Sequence, residues 1–236
     1  MNHRLGIIGG GRAAWAFGST WRRIGWPIAG VTTRSPSPIA SLLGAPSVIG
    51  DADLLLLAVS DRALHEVEVP TTNAIVFHCS GVHPSIRGGF SLHPLKALPP
   101  VGERSDLRDT LLVFEGAHRE IAQEIARAAG ARFAEIDREA KTRYHAGAVF
   151  GSNYVAALLD IAEELIALPG ARADIAALAR SAIDNWAAHQ DARRFTGPAA
   201  RGDSEVMKRH AEALAGSTEL AEIYRLLAAR IVATSS

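Results

Sequence analysis

The sequence has a single cysteine, no long apolar run and no excess of charge of either sign. One cysteine cannot form an intramolecular disulfide, which is typical of proteins in a reducing cytoplasm. No apolar stretch approaches the roughly 20 residues of a membrane-spanning helix, and no signal-peptide pattern precedes the strand-like residues from Leu5 onward. The 25 basic residues balance 25 acidic ones, so nothing favours a nucleic acid as a partner. We therefore expect a cytoplasmic protein that binds neither membranes nor nucleic acids.

The first half of the chain alternates short apolar runs with turns and amphipathic stretches. The apolar runs are 4–9, 27–33, 52–60, 73–81 and 110–116, and the amphipathic stretches between them include 12–24 and 61–67. The runs are continuous rather than alternating, as a parallel sheet covered on both faces requires. This pattern predicts the α/β class, with a doubly wound parallel sheet of the Rossmann type.

The second half reads as helices, because apolar residues recur there at three- and four-residue spacing. A helix ending at Gly130 and one short strand over 131–136 precede a long predicted helix over 138–168. Asp203 or Ser204 is a natural N-cap for a later helix. We predict a dinucleotide-binding domain over 1–136 and an all-α domain over 137–236. The helices of the second domain are rich in Ala, Leu and Ile, so we expect them to form a homodimer.

The segment IGGGRAA follows the first apolar run and opens the first amphipathic stretch. Read as G-x-G-x-x-A, it has the strand–turn–helix context of a dinucleotide-binding loop. Gly9 would make the tight turn, Gly11 would let the backbone approach a pyrophosphate, and the helix N-terminus would attract the phosphates. The residues predicted to bind cofactor here are Gly9, Gly10, Gly11, Arg12 and Ala13. The alternative is a plain strand–helix turn.

The second predicted strand ends in Thr33, Arg34 and Ser35 and offers no carboxylate. A site for NAD usually places Asp or Glu here, about 20 residues beyond the glycines, to hold the ribose 2′-hydroxyl. Arg34 can pair with a 2′-phosphate instead, and the two hydroxyl groups can donate to it. The sequence thus predicts NADP(H) as cofactor, the alternative being an Arg34 that only lines a solvated loop.

Polar residues follow the third and fourth predicted strands, at the sheet edge where ligands of α/β proteins bind. The cofactor contacts predicted there are Ala58, Val59 and Ser60, beside the pyrophosphate and ribose, and Ser80 and Gly81, near the nicotinamide. His78 reads either as a core histidine or as part of the substrate pocket, and His93 is placed in the next loop. Cys79 is expected to be a small buried side chain. The histidines lack ligand spacing, so no metal site is expected.

The helix that follows the sheet brings Lys141, His145, Ala148 and Ser152 onto one stripe, with Asn153 beside its end. Facing a cleft, this stripe would hold a substrate carbonyl and a proton donor; the alternative is a helix–helix seam. We predict Lys141 or His145 as the proton donor and Asn153 as the residue that orients the substrate. Arg201, in FTGPAARGD, is either part of a loop or, paired with Asp203, part of the substrate pocket.

Several of these segments together carry a family resemblance: IGGGRAAWAFG, LLLLAVSDRAL, FHCSG, SLHPL, KTRYHAGAVFGSNYVAALLDIA and FTGPAARGD. They resemble bacterial Rossmann-like proteins with a C-terminal domain of unknown function 2520, within the 6-phosphogluconate-dehydrogenase-like oxidoreductases. The resemblance implies an NAD(P)-binding domain, a helical domain and a second subunit. It also implies that Lys141 and Asn153 are functional, and that Tyr144 and His145 follow the family pattern, with Tyr144 in the substrate pocket.

The function predicted is NADP-dependent hydride transfer between NADPH and a carbonyl or imine of a small anionic substrate. Two alternatives stay open. One is an NADP-binding sensor or scaffold without turnover, and the other is an enzyme similar to ketopantoate reductase.

Overall fold

The computed structural model describes residues 2–70 and 73–235 and divides the chain into two compact units. Unit 1 is Met1–Asn153 and unit 2 is Tyr154–Ser236. The sequence predicts a domain boundary after residue 136. In the structure, the contacts of the segment 137–153 group it with the sheet-bearing unit instead.

In the described part of unit 1, seven strands form one sheet in the order β2-β1-β3-β4-β5-β6-β7. The strands are β1 Leu5–Ile8, β2 Ile28–Thr32, β3 Leu54–Leu57, β4 Ile75–His78, β5 Phe90–Pro94, β6 Leu111–Gly116 and β7 Arg132–Glu135. Every neighbouring pair is parallel except β5 and β6, which run antiparallel. This confirms the predicted Rossmann-type sheet, and each predicted apolar run contains a strand.

β5 is a strand that the sequence prediction missed, and His93 lies within it rather than in a loop. The segment FSLHP is short, ends in proline and shows little alternation of apolar and polar residues, so its sequence pattern alone does not predict a strand. Its pairing with β6, from Phe90 opposite Gly116 to Pro94 opposite Leu112, supplies the main-chain partners that make it one. Tertiary pairing therefore fixes the direction in which His93 leaves the sheet.

Helices pack against the sheet and bury the core of unit 1. In unit 1 they are α1 Arg12–Arg23, α2 Ile39–Leu43, α3 Arg119–Ala129 and α4 Lys141–Phe150. Helix α3 ends at Gly130 in the left-handed conformation, as its sequence predicts. The amphipathic stretch 61–67 forms only a 3-10 turn, Asp61–Ala63. The core between helices and sheet includes Leu5, Ile7, Phe17, Trp21, Leu54, Leu56, Phe77, Phe90 and Ile125, all fully buried.

The predicted continuous helix over 138–168 is wrong. The chain instead forms a 3-10 turn, Arg138–Ala140, then α4, and then α5 Asn153–Ile166. The break falls at Gly151 and Ser152, where the serine hydroxyl donates back to the Ala148 carbonyl at 2.6 Å. Such a bond competes with the helical ladder, and glycine has a low helix propensity. The predicted stripe thus ends within α4 and does not carry on to Ser152.

Unit 2 is helical, and this confirms the predicted class of the second half. Its helices are α5, α6 Arg172–Ala188, α7 Pro198–Arg201, α8 Ser204–Leu214 and α9 Thr218–Ser235. The last three pack on one another. Asp203 caps α8, its carboxylate accepting from the Val206 N–H at 3.2 Å, as predicted. Over the described residues, no helix combines the length and apolarity needed to cross a membrane.

Candidate active site

Gly9 joins the ends of three strands. Its N–H donates to the Thr32 carbonyl at 2.9 Å, and its φ of +128° lies in the region that favours glycine. A Cβ at this position would overlap the Ala58 carbonyl oxygen. The close approach of β1, β2 and β3 therefore requires glycine at position 9. Ala58 is buried, and it contributes to this joint through its backbone.

Gly11 occupies a different environment two residues later. It is the N-cap of α1 in extended conformation, without a side-chain cap, and a Cβ there would meet nothing within 4 Å. The first helical bond runs from the Trp15 N–H to the Gly11 carbonyl. Within the described chain, the N–H groups of Arg12 and Ala13 have no acceptor. The start of α1 thus presents free donors and open space, which suits a phosphate.

The loop after β2 lies against this glycine turn. The Ser37 hydroxyl donates to the Gly10 carbonyl at 3.4 Å, and a Cβ on Gly10 would lie 2.8 Å from that hydroxyl and 3.0 Å from Thr33 Cγ2. Arg34 is exposed, and no ion pair engages it among the described residues. The loop over 33–38 contains no carboxylate. Ser37 was missed by the sequence reasoning, although it lies in the same loop as the predicted Thr33 and Ser35.

A cavity of about 240 Å³ opens at the carboxyl ends of β3 and β4 in unit 1. Its lining residues are Val59, Ser60, Asp61, Cys79, Ser80, Gly81, His93 and His145. The sheet therefore gathers six residues that the sequence predicts for cofactor, pocket or catalysis. Asp61 and Cys79 are additions. Burial raises the pKa of the Cys79 thiol to about 12, so it remains a protonated thiol at neutral pH.

Two imidazoles form one wall of this cavity. The rings of His93 and His145 meet edge to face with centroids 5.8 Å apart. A Cβ on Gly81 would lie 2.5 Å from His145 Cδ2 and 3.0 Å from His93 Nε2, so the wall closes against the loop only because residue 81 is glycine. The ring edges of both histidines consequently border the cavity.

Tyr144 sets the hydrogen bonding of His93. Its hydroxyl lies 2.6 Å from His93 Nδ1. Burial lowers the pKa of His93 to about 4, with smaller contributions from His145 and Lys141 against the opposing effect of Asp61, and burial raises the pKa of Tyr144 to about 12. At neutral pH the phenol is protonated and the imidazole is neutral. If the phenol donates to Nδ1, the ring proton stands on Nε2, which faces Gly81 and the cavity.

Lys141 lies behind the loop that follows β4. It is 1% exposed, and its Nζ donates to Ser91 Oγ at 2.6 Å and to the Ser80 carbonyl at 3.3 Å. Burial lowers the pKa of Lys141 to about 8, against the opposing pull of Glu115 and Asp61. Lys141 does not line the cavity, but it holds the main chain of Ser80, which does.

His78 holds the same loop from the sheet side. It is fully buried; its Nε2 lies 3.0 Å from the Pro84 carbonyl, and its Nδ1 accepts from the Ser80 N–H at 3.2 Å. Burial lowers the pKa of His78 to about 4, so the ring is neutral. The Ser80 hydroxyl then accepts from the N–H groups of Val82 and His83. His78 is thus a core residue beneath the cavity rather than part of its lining.

Two further predicted residues are not among the lining residues of the cavity in unit 1. Asn153 is the exposed first residue of α5, and its Oδ1 accepts from the Ser152 hydroxyl at 3.2 Å. Arg201 is the exposed last residue of α7 in unit 2. Their predicted roles in substrate binding stay predictions.

Comparisons with known proteins come from a family model and from solved structures. The family model for domain of unknown function 2520 matches residues 111–231. A protein from Bacteroides fragilis described as a candidate NADP oxidoreductase is similar over 98% of both chains, with 23% identity and a TM-score of 0.81. A Thermotoga maritima protein also covers 98% of both chains, with 22% identity and a TM-score of 0.73.

A reductive aminase from Aspergillus terreus, solved with NADPH and ethyl levulinate, is similar at 14% identity. The match covers 90% of this chain and 78% of that one, with a TM-score of 0.59. At these identities the likenesses establish the fold. Comparison with curated proteins finds no match.

Proposed function

The chain belongs to the family with domain of unknown function 2520, and from its site we propose that it is an NADP-dependent oxidoreductase. The reaction proposed is hydride transfer between NADPH and a carbonyl or imine of a small molecule. The solved structures that it resembles include a candidate NADP oxidoreductase and an NADPH-bound reductive aminase, in agreement with this class.

The observation that carries the proposal is the open start of α1 beside a histidine-lined cavity on one edge of the sheet. Free N–H groups behind Gly11 and the positive end of the helix dipole suit a pyrophosphate. The cavity lies beyond β3, which is the neighbour of β1 in the sheet, and β4, which is the next strand after β3. A dinucleotide bound at the glycine loop would therefore extend toward this cavity, as in other open α/β sheets.

The loop after β2 favours NADPH over NADH. Arg34 has no ion-pair partner in the described chain, and the hydroxyls of Thr33 and Ser35 flank it in sequence. No carboxylate occupies the position that would hold a free 2′-hydroxyl. A guanidinium and two hydroxyls form charge-assisted hydrogen bonds with a phosphate.

The residues of the cavity have separate tasks in this proposal. NADPH, when bound, supplies the hydride. His145, bordering the cavity, donates the proton that the reduced oxygen or nitrogen needs, and His93 Nε2 donates a hydrogen bond that orients the substrate. Lys141 acts as a positioning residue, because it reaches the cavity only through the Ser80 carbonyl.

One observation favours a second candidate, a protein that binds NADPH without turnover. Lys141, one of the two predicted proton donors, is bound to Ser91 and Ser80 and does not line the cavity. A binding protein would need the glycine loop and Arg34 but no proton donor.

Two measurements test the proposal. Calorimetric titration should show that NADPH binds about ten- to a hundredfold more tightly than NADH. The Arg34→Ala variant should lose this preference. Oxidation of NADPH in the presence of 2-keto acids and cyclic imines then separates an enzyme from a sensor. Equal affinity for the two cofactors rejects the NADP assignment, and NADPH binding without oxidation favours the sensor.

A further inference from the structure

Asp61 is a carboxylate in the cavity wall that the sequence reasoning did not use. It begins the 3-10 turn directly after β3 and lines the cavity beside Ser60. Its carboxylate is exposed and, within residues 2–70 and 73–235, it accepts no hydrogen bond and forms no ion pair. An acid that the protein itself leaves unpaired at the wall of a cavity is available to a ligand.

Apart from His145, the other lining groups carry no positive charge that would compensate Asp61. Val59, Ser60, Ser80 and Gly81 carry no ionisable side chain, and the thiol of Cys79 stays protonated. His93 stays neutral near pH 7 because burial lowers its pKa to about 4, despite the opposing effect of Asp61. His145 is the one remaining titratable group of the lining in unit 1.

The nearby Lys141 attracts Asp61 electrostatically but forms no hydrogen bond or ion pair with it within the described residues. The Lys141 ammonium donates to Ser91 Oγ and to the Ser80 carbonyl, so its donors point into the protein. Glu115, which faces Ser91 across the β5–β6 ladder, adds a negative charge on the same side. A ligand in the cavity therefore meets the carboxylate directly and meets the lysine only through the loop.

We propose that the small molecule bound in this cavity is a cation held by Asp61: an ammonium, or the protonated imine of the same skeleton. Hydride addition to the protonated imine gives a neutral amine, which then takes the proton of His145 to become the ammonium. An opposite charge at hydrogen-bond distance from a carboxylate is attracted, whereas a carboxylate substrate is repelled by it. The proposal names the substrate class of the proposed function and reverses the anionic class that the sequence predicts. The proposed reduction of this cation rests on the proposed function, whereas its binding to Asp61 does not.

Binding of three small probes tests this directly on the full-length protein. The probes are pyrrolidine, which is a cation at pH 7.5, tetrahydrofuran as a neutral ring of the same size, and isobutyrate as an anion. Each is titrated calorimetrically into the protein alone and into the protein saturated with NADPH. Pyrrolidine should bind about tenfold or more tighter than tetrahydrofuran, and isobutyrate should bind more weakly than either.

Two variants locate the effect. Asp61→Asn keeps the size of the side chain, removes its charge and should weaken pyrrolidine binding about tenfold or more. Glu66→Gln is the matched control, because Glu66 is an exposed carboxylate close in sequence that does not line the cavity. It should change pyrrolidine binding by less than about twofold, and neither variant should change NADPH affinity by more than that.

Tighter binding of isobutyrate than of pyrrolidine, or unchanged pyrrolidine binding in Asp61→Asn, would overturn the proposal. Equal losses of pyrrolidine and NADPH affinity in Asp61→Asn would also overturn it, since Asp61 would then serve the cofactor. The protein could also bind pyrrolidine through Asp61 and yet oxidise NADPH with none of the substrates tested. That result would support the cation site and reject the proposed enzymatic function. NADPH-dependent reduction of 2-keto acids but of no imine would support the proposed enzymatic function and overturn the cation site, because 2-keto acids are anions.

Discussion

Gly9 and Gly11 stand two residues apart in one loop, yet an added methyl group meets different surroundings at each. At Gly9 it collides with the Ala58 carbonyl in a backbone conformation that side chains rarely adopt, whereas at Gly11 it enters open space. The first glycine is needed to fold the sheet edge, and the second leaves room for a ligand. A phosphate-binding loop needs the open space found at Gly11, whereas a simple turn does not.

Gly11→Val is therefore expected to fold normally and to lose NADPH binding. The branched side chain fills the space at the α1 N-terminus where phosphate oxygens would lie. Thermal unfolding should stay near that of the parent, and calorimetry should show a loss of about a hundredfold or more in affinity. Gly9→Ala, the matched variant, should instead lower the free energy of unfolding. A Gly11→Val protein that binds NADPH like the parent would make the loop only a turn.

The two candidate proton donors also differ in their contacts, and their variants should differ accordingly. His145→Ala should lower kcat about a hundredfold with NADPH affinity unchanged, because a general acid contributes about that much or more. Lys141→Met should shift KM as well as kcat, since it releases the Ser80 carbonyl and so disturbs the cavity wall. Steady-state kinetics with calorimetry measures both. Unchanged kcat in His145→Ala would contradict its assigned role.

At the scale of elements, the short loop after β4 is held from two sides by ionisable residues. His78 holds it from the strand below, and Lys141 holds it from the start of α4. Both are buried, and burial disfavours the charged form of each. The shape of the cavity thus depends on a strand and a helix that are 63 residues apart in sequence (141 − 78).

The buried His78 makes the stability of unit 1 dependent on pH. Its pKa is lowered from 6.5 to about 4, so the unfolded chain takes up a proton in this window while the native ring does not. Its contribution is full above pH 6.5 and is lost as the pH falls through 4, and it amounts to as much as about 3 kcal/mol. Urea unfolding at pH 7 and pH 4.5 should show a smaller loss for His78→Gln than for the parent. His93 titrates alike in both proteins, so parallel losses would refute the assignment.

At the scale of the whole molecule, helices α5 and α6 of unit 2 expose several large apolar side chains. None of the 14 residues of α5 is buried, and α6 buries only Ile175. Leu178 and Trp186 of α6 are 65% and 64% exposed. Surfaces of this kind mark interaction sites in proteins.

We propose that these helices form the interface of a homodimer. Light scattering at micromolar concentration should give twice the 25.0 kDa mass of the chain. Trp186→Asp should shift the protein toward the monomer, because an interface of about 2,000 Å² tolerates a buried charge poorly. Glu212→Gln in α8, an exposed residue outside α5 and α6, is the control. A parent protein that is monomeric at this concentration would remove the proposal.

The sequence by itself determined the features that depend on local patterns. Continuous apolar runs specified a parallel sheet, Gly130 ended α3, Asp203 capped α8, and the glycines marked a strand–helix turn. Such features follow from backbone conformation and periodicity within a few residues. The family match over 111–231 likewise follows from sequence.

Only the tertiary structure decided the features that depend on residues far apart in the chain. Strand β5 exists because β6 pairs with it, and this pairing puts His93 beside His145. The break at Gly151 and Ser152 ended a helix that periodicity predicted to continue. Nothing in the spacing of Lys141 shows that its ammonium turns inward to Ser91, or that Asp61 enters the cavity. Burial and direction of a side chain are properties of packing, which a one-dimensional pattern does not contain.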